Sequence, residues 1–274
     1  MTDAKRELLA ELVASGLHQR EARWLLDEFF IGDDTETIVD VRAAAQRRLS
    51  GEPLQYIIGH WPFRSLDLDV DERVLIPRPE TEELVEVALR ELAQRNLSAP
   101  VILDLGCGSG AIGLSLLQEL QQRGVAATLV AVDESLDALA VAKRNALKHG
   151  LYAVSFVHSS WFTSLDPSLI GRIDLVVSNP PYISESEMSA LDPVLEYEPR
   201  TALVASDESS PGFDDLAEII ANSTQWLHGE GILVAEHGHL QREAALQSAQ
   251  RAGYSSFEDL DDMAGNSRIL VARK

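Results

Sequence analysis

The chain has 274 residues, of which 45% are hydrophobic, 24% charged and 6% aromatic, a composition that supports a packed core and excludes disordered and collagen-like classes. Its 23 basic and 44 acidic side chains give a formal charge of −21, a field that repels phosphate backbones and disfavours unassisted nucleic-acid binding. The single cysteine, Cys107, excludes an intrachain disulfide framework and any cysteine-rich metal site.

The acidity is spread along the chain: residues 1–75 carry 9 basic and 15 acidic side chains, the remainder 14 and 29. No Lys/Arg run exceeds the pair Arg47-Arg48. The opening MTDAKRELLA is broken by charges and lacks the apolar region of a signal peptide, and no uninterrupted apolar stretch reaches the length of a membrane span. A reducing, cytoplasmic setting without membrane contact is expected.

In chain order, the first 50 residues read as short amphipathic helices. Leu8, Leu9, Leu12 and Val13 share one face, with Gly16 placed to end it. Trp24, Leu25, Phe29 and Phe30 form a second face, read as core, and Ile38, Val39 and Leu49 belong to a third segment that Gly51 closes. Residues 54–76 change character, since LDLDVDERVLI alternates apolar and acidic residues as a half-exposed strand or hairpin would, its acidic stretch Asp67 to Glu72 facing solvent. Pro77-Arg78-Pro79 continues neither element easily. The pattern then becomes α/β. Residues 81–95 are helical, and VILDL (101–105), TLVAVD (128–133), AVSFV (153–157), IDLVVSN (173–179) and GILVAEH (231–237) read as strands. Helical stretches at 111–123, 135–149 and 213–228 separate them, which implies a mostly parallel sheet with ligands at the carboxyl ends of its strands. The stretch from 180 to about 211 lacks periodicity and reads as a functional lid or binding loop.

Two motifs carry chemistry. The first is Asp104-Leu105-Gly106-Cys107-Gly108-Ser109-Gly110, a strand entering a glycine-rich turn and then a helix. Glycines let the backbone approach a ligand, and the helix N-terminus offers free N–H groups. Gly106, Gly108 and Ala111 even satisfy a dinucleotide pattern, but two acids bracket the turn. Asp133, ending the second strand, can accept both hydroxyls of a ribose. Asp104 suits a cationic group such as a ligand ammonium and would repel a pyrophosphate. The pair tilts the reading from NAD to S-adenosylmethionine. The second motif is Asn179-Pro180-Pro181-Tyr182 at the end of the fourth strand. The prolines fix the backbone, so the Asn179 side-chain oxygen and the Pro180 carbonyl can both accept from one planar –NH2 group. Two acceptors holding both N–H bonds favour a pyramidal nitrogen aimed at a sulfonium methyl. Tyr182 would pack on the target group.

With these residues in place, the sequence resembles the HemK/PrmC family of peptide-chain release factor N5-glutamine methyltransferases. The resemblance lies in LIPRPETE (75–82), DLGCGSGAIGLSL (104–116), AVD (131–133), AKRNA (142–146), WF (161–162), VSNPPYI (177–183), EP (198–199), TAL (201–203) and EHG (236–238). It implies a seven-stranded Rossmann-like class I methyltransferase domain over 77–274, joined by a β-hairpin linker over 54–76 to an N-terminal helical bundle over 1–53, whose separation from the catalytic motifs suggests a role in docking the substrate. It implies methyl transfer from S-adenosylmethionine to the glutamine of the GGQ motif in class-1 release factors; a monomer is expected, and the charge argues against direct nucleic-acid contact. Gly106, Cys107, Gly108, Ser109 and Gly110 would then surround the methionine and ribose portion, with Asp133 on the ribose and Trp161 beside the adenine. Asp104 and Asn179 complete the cofactor set. Asn179, Pro180, Pro181 and Tyr182 would hold the target amide, with Asn179, Pro180 and Tyr182 as the catalytic group. Ser160 stands where the family commonly has Asp, a weaker acceptor for an adenine amino group, and Cys107 where Thr is also common.

Other features weigh less. His237-Gly238-His239 has no third ligand in view, so no metal is expected. Arg78, Glu80, Thr81 and Glu82 could line a substrate mouth, although a capped helix start explains Thr81 and Glu82 equally well. The alternatives are a glutamine methyltransferase of a large-subunit ribosomal protein and an N6-adenine nucleic-acid methyltransferase, the latter opposed by charge. A non-catalytic cofactor-binding adaptor would have no use for two acceptors aimed beyond the cofactor.

Overall fold

The first fifty residues fold as the apolar spacing predicts. The computed structural model describes residues 2–32, 34–188, 190–191, 193–206 and 210–274. Helices α1 (Asp3–Ala14), α2 (Gln19–Phe29) and α3 (Thr35–Leu49) pack Leu8, Leu12, Leu25, Leu26 and Val41 into one small core. The Asp34 carboxylate caps α3 by accepting from Thr37 N at 2.8 Å. A fourth helix, α4 (Leu54–Ile58), lies within the stretch assigned from sequence to the hairpin. Pro53 precedes it, Gly59 ends it in the left-handed region, and Leu54 and Ile57 join the bundle core.

The hairpin itself is short: β1 (His60–Phe63) pairs antiparallel with β2 (Leu66–Asp69). The period-two alternation extends beyond the paired residues because Val70, Val74 and Ile76 are buried from an irregular strand end. The acidic edge keeps partial exposure, as expected, and is ion-paired as well. Lys148 Nζ reaches Asp67 at 2.9 Å and Asp69 at 2.7 Å, and Arg144 Nε reaches Asp69 at 2.7 Å. Trp24, expected in the bundle core, is 40% exposed and stacks edge-on against Trp61 at 5.5 Å, at the seam between bundle and hairpin.

The remaining elements are α5 (Thr81–Ala93), β3 (Val101–Leu105), α6 (Ala111–Gln122), β4 (Thr128–Asp133), α7 (Leu136–Lys148), β5 (Val154–His158), β6 (Ile173–Ser178), α8 (Glu185–Met188), α9 (Arg200–Leu203), α10 (Asp214–Trp226), β7 (Leu227–Glu236), α11 (Arg242–Ala252), β8 (Ser256–Asp261) and β9 (Ser267–Arg273). The seven-stranded sheet runs β5-β4-β3-β6-β7-β9-β8, parallel except where β9 pairs antiparallel with β7 and β8. Helices α5, α6 and α7 cover one face and α10 and α11 the other, each over its own apolar layer. Every residue of β6 is buried, as a central parallel strand requires. The chain order reverses between β3 and β6, which opens a crevice at their carboxyl ends. Part of the unpatterned stretch 180–211 folds as α8, a 3₁₀ turn (Pro193–Tyr197) and α9, while 189, 192 and 207–209 lie outside the described residues. Among the described residues no helix is long and apolar enough to cross a membrane.

One buried side chain joins the hairpin to the sheet. Asn145 of α7 is fully buried; its Oδ1 accepts from Asp69 N at 2.7 Å, and its Nδ2 donates to Asp69 O at 3.0 Å and Ser109 O at 2.9 Å. Truncation would strand an N–H and two carbonyls away from water. Asn145→Ala is expected to lower unfolding free energy by about 2–4 kcal/mol, read from urea denaturation, while the neighbouring exposed Leu147→Ala changes it by about 0.5 kcal/mol or less.

Candidate active site

The crevice between β3 and β6 is lined by both motifs. Parallel pairing sets Leu105 opposite Ser178, so the Gly106 turn and Asn179 leave the sheet side by side. Ser178 Oγ donates to Leu105 O at 2.8 Å and fixes that register at the strand end. Beyond β3 the turn is held from beneath: Cys107 N donates to Val132 O at 2.9 Å, and Gly108 N donates to the Asp133 carboxylate at 2.8 Å. Gly108 has φ 54° and open space where a Cβ would stand, so its backbone borders the crevice directly.

Asp133 accepts from Gly108 N through one oxygen and from Ser135 N through the other, at 2.9 Å. Each oxygen keeps a lone pair for a ligand hydroxyl. Asp104 sits differently from the sequence expectation. It does not line the cavity; it is fully buried beneath the turn, where Oδ2 accepts from Gly113 N at 2.9 Å and Oδ1 has no partner among the described residues. A Cβ on Gly113 would come within 2.7 Å of that carboxyl, so the helix must carry glycine there. Burial pushes Asp104 up to about 7, with Asp133 adding repulsion, and burial likewise raises Asp133. Burial also pushes up the Cys107 thiol, which is therefore inert packing in the turn.

A cavity of 420 Å³ runs from this turn past Asp133, Ser160 and Trp161 to Asn179 and Pro181. Gly106 and Gly108 line it, whereas Cys107, Ser109 and Gly110 do not, their side chains or backbone turning into the core. Trp161 adopts φ 42° and donates from Nε1 to Asp215 Oδ1 at 3.2 Å; Asp215 in turn accepts from Ser206 N. Asp215 and Glu218 of α10 also border the cavity and carry no motif that would have marked them in the sequence. Ser160 lines the cavity as well. A second cavity of 260 Å³ is lined by Arg78, Pro180, Tyr182, Leu191, Leu195 and Leu203. Leu75, Asn179, Pro181 and Ala202 border both and form the wall between them.

Asn179 Nδ2 donates to Thr81 Oγ1 at 3.1 Å, which leaves Oδ1 as the uncommitted pole of the amide. Thr81 neither lines the mouth nor caps α5; its hydroxyl donates to Glu236 Oε2 at 2.7 Å. Glu82 accepts from Arg64 N, and Arg78 pairs with the buried Glu198 at 2.6 Å. His237 is buried with Nε2 at 2.6 Å from Asp259, and no group of three metal-ligating side chains occurs among the described residues. The larger cavity suits S-adenosylmethionine. It offers paired acceptors for ribose, an indole for a base, and acidic rather than basic surroundings for a cation. Its one basic side chain among the described residues, Arg73, is committed to Asp71.

The fold and this crevice define a class I methyltransferase that uses S-adenosylmethionine. The family model for the methyltransferase small domain matches residues 84–195. A release factor glutamine methyltransferase from Pasteurella multocida is 41% identical over 86% of this chain and 81% of its own. The enzyme of that name from Escherichia coli is 36% identical over 98% and 96%. The chain belongs to the release factor glutamine methyltransferase family. Among solved structures, the hMettl16 catalytic domain in complex with a 3′UTR hairpin shares the fold with TM-score 0.59 at 14% identity, covering 97% of this chain and 91% of that one. A T. Thermophilus 16S rRNA methyltransferase in complex with AdoMet and guanosine gives TM-score 0.55 at 17% identity over 78% and 49%.

The raised carboxyls set a pH dependence. A carboxyl whose folded value lies above its unfolded 3.8 contributes stability that is fully present below 3.8 and is lost as pH rises through about 7. A cationic ligand favours the ionised form. The affinity for S-adenosylmethionine is therefore expected to rise between about pH 6 and pH 8 while the melting temperature of the ligand-free protein falls, and Asp104→Asn to weaken both trends, with the buried Glu236 supplying the stability loss that remains. Calorimetric titration and thermal melts across that range check this.

Proposed function

We propose that this protein methylates the side-chain amide nitrogen of the glutamine in the GGQ motif of class-1 peptide-chain release factors, acting in the cytoplasm as a monomer without direct nucleic-acid contact. The observation that carries the reading is Asn179. It stands in the wall between the two cavities with its N–H2 end tied to Thr81, so its Oδ1 is the end offered to a target. S-adenosylmethionine supplies an electrophilic methyl on its sulfonium. Asn179 Oδ1 and the Pro180 carbonyl accept the two N–H bonds of a planar amide, which orients its nitrogen and favours the pyramidal geometry that methylation needs. Two oxygens facing a target suit a donor group such as –NH2 and disfavour a carbonyl or carboxylate.

Asp133 would hold the ribose hydroxyls, Trp161 would lie beside the adenine, and Gly106 and Gly108 would leave room for the methionine portion. Tyr182 packs on the target amide. Burial, with Glu236 adding to it, pushes its hydroxyl up to about 12, so it stays protonated and acts by packing rather than as a base. The second cavity is largely aliphatic, walled by Leu75, Leu191, Leu195 and Leu203, and suits the approach of a narrow peptide loop. The relatives' names support the release-factor substrate, and the charge of −21 opposes a nucleic-acid acceptor.

Labelled S-adenosylmethionine is expected to label a purified release factor and to leave its GGQ-to-GGA variant and duplex DNA unlabelled. Label on DNA, or on both factor forms equally, would overturn the acceptor assignment. Asn179→Ala is expected to lower kcat by about 100-fold or more, with the dissociation constant for S-adenosylmethionine changed by no more than about twofold. Turnover at the wild-type rate in that variant would remove Asn179 from the acceptor site.

A further inference from the structure

We propose that Glu236 and Thr81 are positioning residues: together they form a buried hydrogen-bond chain that dictates which end of the Asn179 amide faces the methyl acceptor. The inference rests on the amide-acceptor reading above and concerns the same site. Three side chains from distant parts of the sequence meet here. Glu236 ends β7, Asn179 follows β6, and the two strands pair with Ser178 opposite Ala235, which sets 179 beside 236. Thr81 opens α5 and bridges them, 2.7 Å from Glu236 Oε2 and 3.1 Å from Asn179 Nδ2. Thr81 and Glu236 are 4% and 0% exposed, so no bulk water competes for these bonds.

The direction of the chain follows from counting protons. An ionised carboxylate only accepts, so the single hydroxyl proton of Thr81 is donated to Glu236. The lone pairs of Thr81 Oγ1 can then only accept, and the partner they take is an N–H of Asn179. The Asn179 amide is thereby held with its oxygen toward the acceptor. Glu236 Oε1 has no hydrogen-bond partner among the described residues, so Thr81 is the one anchor its carboxyl has there. A carboxylate buried with one oxygen unsatisfied is costly, which marks it as retained for something other than packing.

Protonation reverses the chain. A protonated Glu236 donates to Thr81 Oγ1, Thr81 donates its own proton to Asn179 Oδ1, and the amide turns its N–H2 toward the acceptor. A target –NH2 then meets donors instead of acceptors. The groups that bear on Glu236 are Arg268 of β9, Glu80 ahead of α5, His237 beside it on the same chain and Tyr182 across the wall. Burial dominates and pushes Glu236 up to about 7; Thr81 and Arg268 pull down and Glu80 pushes up. Methyl transfer at saturating cofactor is expected to rise with pH through this region.

The test uses the full chain labelled with ¹⁵N-asparagine and saturated with S-adenosylmethionine, the Asn179 amide signal being assigned by its loss in Asn179→Asp. In the wild type this signal should shift with a midpoint near pH 7, in step with kcat. Thr81→Val, which keeps shape and removes the hydroxyl, should move the signal and lower kcat at pH 8 by about 10–100-fold without changing cofactor affinity more than about twofold, and Thr81→Ser should restore most of the loss. Glu236→Gln should abolish the pH dependence of both signal and kcat. Wild-type turnover in Thr81→Val, or an Asn179 signal indifferent to it, would overturn the proposal. Should Thr81→Val fail to fold, a persistent acid limb in Glu236→Gln would overturn it equally. If release factor is not labelled by the wild type while the Asn179 signal behaves as stated, the substrate reading falls and the hydrogen-bond chain stands.

Discussion

The register between β3 and β6 is the constraint on which the rest of the crevice depends. With Leu105 opposite Ser178, the glycine turn and the Asn-Pro-Pro-Tyr segment emerge at the same level from neighbouring strands. A slip of one residue would move one motif by about 3.3 Å and invert its side chains. The Ser178 hydroxyl on Leu105 O and the apolar seam of Leu103, Leu105 and Val176 oppose that slip. The cofactor side and the acceptor side are therefore aligned by the sheet, before any loop contributes. Neither motif would be useful at another strand spacing, because methyl transfer requires nitrogen and methyl in line at contact distance.

Two groups of acidic side chains show opposite physics. Asp67, Asp69 and Glu91 are paired with bases, which hold their carboxyls below the usual range; Arg273 does this for Glu91 with two bonds at 2.7 and 2.8 Å. These pairs join hairpin to α7 and α5 to β9. Asp104 and Glu236 are buried with one oxygen each unpartnered, and burial pushes both up to about 7. Both lie at carboxyl ends of central strands, beside the crevice. Neither lines a cavity, yet both stand at the ligand end of the sheet, where buried and only half-partnered carboxyls mark a functional region rather than packing.

The two motifs and the five strands named from sequence were legible because their chemistry is local: Gly106, Gly108 and Pro180 reveal backbone shape without reference to a partner. The final antiparallel strands were not, since β8 reads Ser-Phe-Glu-Asp-Leu-Asp and an edge strand dilutes its apolar pattern with charge. Thr81 and Glu236 were visible as residues but not as partners, 155 positions apart in the chain. The pairing of the hairpin acids was not legible because their neutralising bases, Arg144 and Lys148, sit 75 to 81 positions away. Asp104 carried the right residue type for a cationic ligand, yet the fold gives it to Gly113 N, a contact that needs the start of α6 folded back over β3.

The wall between the two cavities is built from both the N-terminal and the C-terminal parts of the chain. Leu75 and Ala202 complete that wall, and neither is on the sheet. The segment carrying Ala202 is fastened by Glu198, whose buried carboxylate accepts from Ile76 N at 3.0 Å and from Arg78 at 2.6 Å. Ile76 in turn belongs to an apolar cluster with Tyr56, Val70 and Val74, and Tyr56 donates to Val74 O at 2.6 Å. On the other side the 3₁₀ turn reaches the bundle through Tyr197, whose hydroxyl lies 3.3 Å from Ser50 O. Pro199, Thr201, Ala202 and Val204 border the larger cavity as well, so the strap anchored to bundle and hairpin helps to close both cavities.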